Sequence, residues 1–165
     1  MHKISFILLT LIIGLAACNS DKNKSVATTK TVTAPIPAAP IPGFPKEAMM
    51  KLLNECTYVD YIFHKLPFSL SQNEDPSIDQ NISFLDVEKP LEQIPTGCKP
   101  DARKFFQIKG DIVYDVDVYI QNGCHFYVFV DKNNKPIYAN RMTQSGINFY
   151  NNIIQQAAGM TQPQQ

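Results

Sequence analysis

The chain has 165 residues and no net formal charge. From residue 46 onward it carries 14 acidic and 11 basic residues, a net of about −3 with no basic cluster. The electrostatic footprint of a nucleic-acid binder is therefore absent, and neither an internal repeat nor a second long apolar run follows the first.

The chain begins with a short basic start, Met1-His2-Lys3, followed by an almost wholly apolar run from Ile4 to Leu15. That run is too short to span a membrane, which takes about 20 apolar residues, but it suits the apolar region of a secretory signal. Leu15-Ala16-Ala17-Cys18 ends it. Together these segments resemble the signal peptide and lipobox of a bacterial lipoprotein. The resemblance covers residues 1–18. It implies removal of residues 1–17, diacylation of the Cys18 thiol and acylation of the new amino terminus. Each buried CH₂ of such chains contributes roughly 0.8 kcal/mol to anchoring. Asn19 follows the cysteine, not the aspartate that retains such proteins at the inner membrane. The implied location is the bacterial cell envelope, on the outer membrane.

Residues 18–45 read as the lipidated cysteine and a tether. The tether starts polar and ends in Ala34-Pro35-Ile36-Pro37-Ala38-Ala39-Pro40-Ile41-Pro42-Gly43-Phe44-Pro45. Closely spaced prolines remove backbone donors and favour an extended polyproline conformation. At about 3.1 Å per residue this stretch would reach roughly 35 Å. Residues 46–159 then form a single globular domain, large enough for one ordinary core, and residues 160–165 a flexible tail.

A helix is expected early in 46–64, because Met49, Leu52, Leu53 and Cys56 recur at spacings of three and four. The stretch Tyr58 to Phe63 also suits a strand, and Pro67 should end either element. Residues 68–97 read as irregular, with a short strand or helical turn at Ile82-Ser83-Phe84-Leu85. Asn81-Ile82-Ser83 matches a glycosylation acceptor pattern by chance.

Four β-rich runs follow: Lys104–Ile108, Ile112–Ile120, Cys124–Val130 and Pro136–Arg141. Turns separate them at Lys109-Gly110, Asn122-Gly123 and Asn133-Asn134, residue types that tolerate positive φ. Register follows the buried face. A three-residue loop from Gln121 to Gly123 would set Val118 opposite Phe126 and Val116 opposite Val128. A two-residue turn at Asn133-Asn134 adds Ile137 and Ala139 to that face. A final helix, capped by Thr143 or Ser145, lines one side with Ile147, Tyr150, Ile153, Ile154 and Ala157. The expected fold is α+β: a four-stranded antiparallel meander with N-terminal and C-terminal helices packed on one face.

This register leaves a second sheet face bearing Asp115, Asp117, Tyr119, His125, Tyr127, Phe129, Tyr138 and Asn140, with Phe105 beside them. Asp117 would lie opposite Tyr127, and Tyr119 opposite His125. Flat rings beside carboxylates and an imidazole suit a ligand or partner surface. Burial of this face beneath the segment 66–97 is the competing expectation. Asp115, Asp117 and His125 could supply oxygen and nitrogen ligands to a metal or catalytic site, with His64 completing the set if its segment packs nearby. The motifs point to no cofactor and no assigned metal. Of Cys56, Cys98 and Cys124, Cys56 lies on an apolar helix face, while Cys98 and Cys124 lie at the same end of the sheet and form the preferred disulfide. Cys124 and His125 cannot form a nucleophile–base pair, because adjacent strand residues face opposite ways. These features point to a non-enzymatic, lipid-anchored envelope domain that binds a protein, peptide or glycan. The alternatives are a small envelope enzyme or metal protein, and a structural subunit of a membrane complex.

Overall fold

The computed structural model describes residues 39–160. The signal segment, Cys18, most of the tether and residues 161–165 lie outside the described residues. The elements in chain order are α1 (Lys46–Glu55), β1 (Tyr58–Phe63), β2 (Ser69–Gln72), α2 (Asp75–Ser83), β3 (Leu85–Pro90), β4 (Ala102–Ile108), β5 (Asp111–Tyr119), β6 (Phe126–Val130), β7 (Pro136–Met142) and α3 (Gln144–Met160). The strands form one seven-stranded sheet in the order β2-β1-β4-β5-β6-β7-β3. Every neighbouring pair is antiparallel.

The mixed α+β class holds, and β4 to β7 form the expected meander. The sheet is larger than four strands because residues 58–90 add three more and a helix. The Tyr58 to Phe63 stretch is a strand that buries Val59, Tyr61 and Phe63 on alternate positions. Residues 68–97, expected to be irregular, contribute β2, α2 and β3. Their sequence signal is weak for physical reasons. β2 offers only Leu70 as an apolar residue, and α2 only Ile78 and Ile82.

The turns form where expected. Lys109, Asn122 and Asn134 take positive φ, as do Gly110 and Gly123. At α3, the Gly146 N–H donates to Thr143 Oγ1 at 3.4 Å, so Thr143 caps the helix. Tyr150, Ile153 and Ala157 are its buried residues beyond Gly146.

The register between β5 and β6 differs from expectation. Val118 pairs with Tyr127, Asp117 with Val128 and Tyr119 with Phe126. The β6–β7 register is as expected from Phe126 to Phe129, with Val128 opposite Ala139, but it shifts after Phe129 so that Val130 meets Pro136, and Ile137, expected on the face of Ala139, packs against the opposite core. The β5–β6 shift has a clear cause. All five residues of β6 are buried, so neither register exposes an apolar side chain and alternation cannot choose between them. The connection also runs from Ile120 to His125. Asp101 Oδ2 accepts the Ile120 and Gln121 N–H groups at 2.9 and 3.0 Å, and Cys124 is bonded to Cys98.

Cores consequently form on both sides of the sheet. On one side, Leu52, Ile78, Ile82, Tyr150 and Ile153 of the helices pack with Val59, Tyr61, Phe106, Val116, Val118, Tyr127 and Phe129. On the other, Tyr119, Phe126, Val128, Val130 and Ala139 pack beneath Leu91, with Ile41, Ile94 and Cys98 at the edge.

The fold also begins before Lys46. Ile41 N–H donates to the Glu92 carbonyl at 2.8 Å, and Ala139 N–H donates to the Pro42 carbonyl at 2.9 Å. Phe44 is buried and stacks on Phe129 with ring centroids 4.2 Å apart. The last residues of the proline-rich stretch are thus a strap built into the domain.

Candidate functional site

The face expected to carry the mixed aromatic and charged residues is split between the two sides. Tyr127 and Phe129 enter the helix-side core, and Tyr138 pairs with Phe129 and packs against that core. Tyr119 lies in the opposite cluster, stacked on Phe126 at 4.3 Å. Asp115 and Asp117 share the side of Tyr119, since strand residues alternate. His125 precedes β6, where its carbonyl accepts the Met142 N–H at 3.0 Å, and it has the parity of Tyr127. The one-residue register shift therefore separates His125 from the two aspartates. His64 Nδ1 lies 2.9 Å from the Pro100 carbonyl. Among the described residues no group of three or more His, Cys, Asp or Glu side chains could hold a metal ion.

The structure instead gathers a different surface. Segment 66–97 and its continuation to Cys98 cover only the β6–β7 half of the second face, through Leu91, Ile94 and Cys98. The β2-β1-β4-β5 half stays open, with Ile62 52% exposed and Tyr58 and Phe105 half-buried. Across it runs a ladder of polar side chains. Ser71 donates to Asp60 Oδ1 at 2.5 Å, and Gln107 donates to Asp60 Oδ2 at 2.9 Å. Arg103 holds both meander aspartates: Nη1 donates to Asp117 at 2.7 Å, Nη2 to Asp115 at 2.9 Å, and Nε to the second Asp115 oxygen.

This geometry follows from strand pairing. Arg103 lies directly across from Asp117 and diagonally across from Asp115, within reach of a long side chain. The fork meets Asp115 in bidentate fashion, and its remaining Nη2 contact is Asn134 at 2.8 Å. Asp115 first, and Asp117 with it, raises the guanidinium above its already high value. The aspartates are thus held by hydrogen bonds in place, and the open surface mixes fixed polar groups with exposed apolar ones. At one end, Ile112, 58% exposed, and Val113 open onto a cleft of about 360 Å³ shared with Val130, Asp131 and Ile137. Two aspartates at alternate positions of one strand were legible in the sequence. Asp60 and Ile62 were missed as members of the surface because β1 was not assigned to the sheet, and Arg103 because the expected strand began at Lys104, whereas β4 begins at Ala102.

The expected Cys98–Cys124 disulfide is present, with the Cα atoms 6.0 Å apart, and Cys56 is a buried free thiol. The other unusual group is Lys104, which is 1% exposed. Its amine lies 4.5 Å from the Phe106 ring centre and 5.2 Å from those of Tyr61 and Tyr127. Burial pulls its pKa down to about 7. It borders a cavity of about 10 Å³, with Asn81, Val116 and Phe129 among the walls, room for about one water. The Tyr127 and Tyr150 hydroxyls lie 3.4 Å apart nearby. The Tyr61 hydroxyl interacts with Tyr150 but makes no hydrogen bond of ordinary geometry. Burial raises all three phenols well above their usual range.

Comparison of the chain with protein-family models, with curated proteins and with solved structures finds no match.

Proposed function

We propose that this chain is a lipid-anchored protein of the bacterial envelope whose domain binds a protein, peptide or glycan partner without catalysing a reaction. The observation that carries the binding reading is the open β2-β1-β4-β5 half of the sheet. Its exposed Ile62 and half-buried Tyr58 and Phe105 lie beside hydrogen-bonded charges. Such a broad, shallow surface supplies apolar contact area and directional polar groups without converging on a reacting atom. The segment Ile4 to Cys18 supports the anchor and the outer-membrane location.

A photo-crosslinking amino acid at position 62, in cells producing the full chain, tests the surface. The control is the same group at Met50 on α1, which is 55% exposed. Discrete adducts from position 62 and none from position 50 are expected. No adduct at 62, or the same adducts at both positions, overturns the reading. Cys18→Ala should move the protein from the membrane to the soluble fraction, and continued membrane association would refute the anchor.

A further inference from the structure

The open half of the sheet has an ordered grain. Strand pairing sets Asp60 of β1 opposite Phe105 of β4, and Phe105 opposite Asp115 of β5. The three share the uncovered side, where Ser71 and Gln107 reach Asp60 and Arg103 reaches Asp115. One row across the face therefore reads carboxylate, ring, carboxylate. Directly opposed strand residues have Cβ atoms about 5 Å apart, so both acids stand beside the ring. The row on one side is Ile62, Arg103 and Asp117, and the row on the other begins with Tyr58 and Gln107.

The donors of the ladder are turned inward. Ser71 and Gln107 donate to the two oxygens of Asp60. Arg103 makes four hydrogen bonds, two to Asp115, one to Asp117 and one to Asn134. A carboxylate has room for about four donors, so each of the three acids keeps acceptor capacity. They are also within reach: the Asp115 and Asp117 side chains are 32% and 17% exposed, and Asp60 and Phe105 are half-buried. Three carboxylates against one guanidinium leave two formal negative charges on this face, out of a net of about −3 from residue 46 onward. The face thus attracts cations and holds out acceptors to them. An acidic partner would be repelled, and a neutral glycan would gain nothing from the charge.

Resting on the reading of this half-sheet as a partner surface, we propose that the partner is a protein presenting a basic segment, one of whose Lys or Arg side chains seats over the Phe105 ring between Asp60 and Asp115. A cation over a ring face is attracted by it, and here a carboxylate stands on either side. The aliphatic stem of such a side chain finds apolar area at Ile62 and Tyr58 in the flanking rows.

The test uses the full chain with the photo-crosslinking amino acid at position 62. Adducts are digested and the crosslinked partner peptide is sequenced. The expected peptide carries Lys or Arg within about three residues of the crosslink. Adduct yield should fall at least about fivefold with Asp60→Asn, which removes the charge, and with Phe105→Leu, which removes the ring. Ser71→Ala breaks a hydrogen bond to the same carboxylate and keeps its charge, so its yield should stay within about twofold of the parent. Thermal unfolding confirms that each variant is folded, and either Asp60→Asn or Phe105→Leu suffices if the other is not. In isolated envelopes the yield should also fall as salt is raised. A crosslinked segment without a basic residue, a glycan adduct, or a yield unchanged by Asp60→Asn or Phe105→Leu overturns the basic partner while leaving the surface reading intact. Absence of every adduct at position 62 removes the surface and the seat together.

Discussion

The Lys104 amine donates to the Asn81 carbonyl at 3.1 Å, so a strand residue at the centre of the sheet caps the last turn of α2. That turn contains no basic residue of its own, and a cation there complements the exposed carbonyl ends of the helix. The Asn81 side-chain oxygen lies 3.4 Å from the same amine.

The first prediction concerns pH. Lys104 falls from an ordinary value of 10.5 to about 7. Between those values the unfolded chain binds a proton that the folded chain lacks, so stability rises with pH from about 7. The slope reaches about 1.4 kcal/mol per pH unit at most. Below this window both states are protonated and the contribution levels off. The trend reverses near pH 10, because the unfolded tyrosines ionise while buried Tyr61, Tyr127 and Tyr150 do not. Urea titrations at pH 6, 8 and 9.5 check the rise. Lys104→Met should flatten it and gain about 1–3 kcal/mol at pH 6, since desolvating an amine without a carboxylate partner costs more than its hydrogen bonds return.

A second prediction addresses the Arg103 fork. Arg103→Ala leaves Asp115 and Asp117 facing each other without a cation and should cost about 2 kcal/mol. Adding Asp115→Asn and Asp117→Asn should recover some of that loss, read as a coupling energy in a mutant cycle. Arg103→Lys should restore little, because an ammonium cannot reproduce the two-pronged contact.

The third concerns Asn140, whose carboxamide accepts the Phe44 N–H and donates to the Asp86 carbonyl at 2.9 Å. It is fully buried. Asn140→Ala removes both bonds at once and should cost about 2–4 kcal/mol in chemical unfolding. Asn140→Asp keeps the acceptor, loses the donor and sets a buried carboxyl against the Asp86 carbonyl. It should cost more than about 1 kcal/mol in the same titration.

A fourth concerns the Cys98–Cys124 bond, which closes a separation of 26 residues. Reducing it, or replacing both cysteines with serine, should remove about 3 kcal/mol. Thermal unfolding with and without reductant measures this, and an unchanged midpoint would contradict it.

Strong local patterns made much of this structure legible. The glycine and asparagine turns fixed the meander, and α3 declared itself through Tyr150, Ile153 and Ala157. The Cys98–Cys124 pairing followed from placing two loops at one end of the sheet. The candidate surface was harder to read. β6 is apolar at every position, so its register depended on Asp101 and the disulfide, both remote in sequence, and a shift of one residue moved His125 away from Asp117. The polar ladder needed β1 beside β4, a pairing between segments distant in the chain that no local pattern encodes. Phe44 was assigned to a spacer because proline-rich composition speaks to backbone conformation and says nothing of one ring's destination.

The three bonds of the strap have a mechanical consequence. Tension arriving from the N-terminal side of Ala39 meets them in chain order: Ile41 to Glu92 first, then Pro42 to Ala139, then Phe44 to Asn140. The first two lie ahead of the buried ring in the chain, so losing them leaves Phe44 stacked on Phe129 and the strand pairing of the sheet in place.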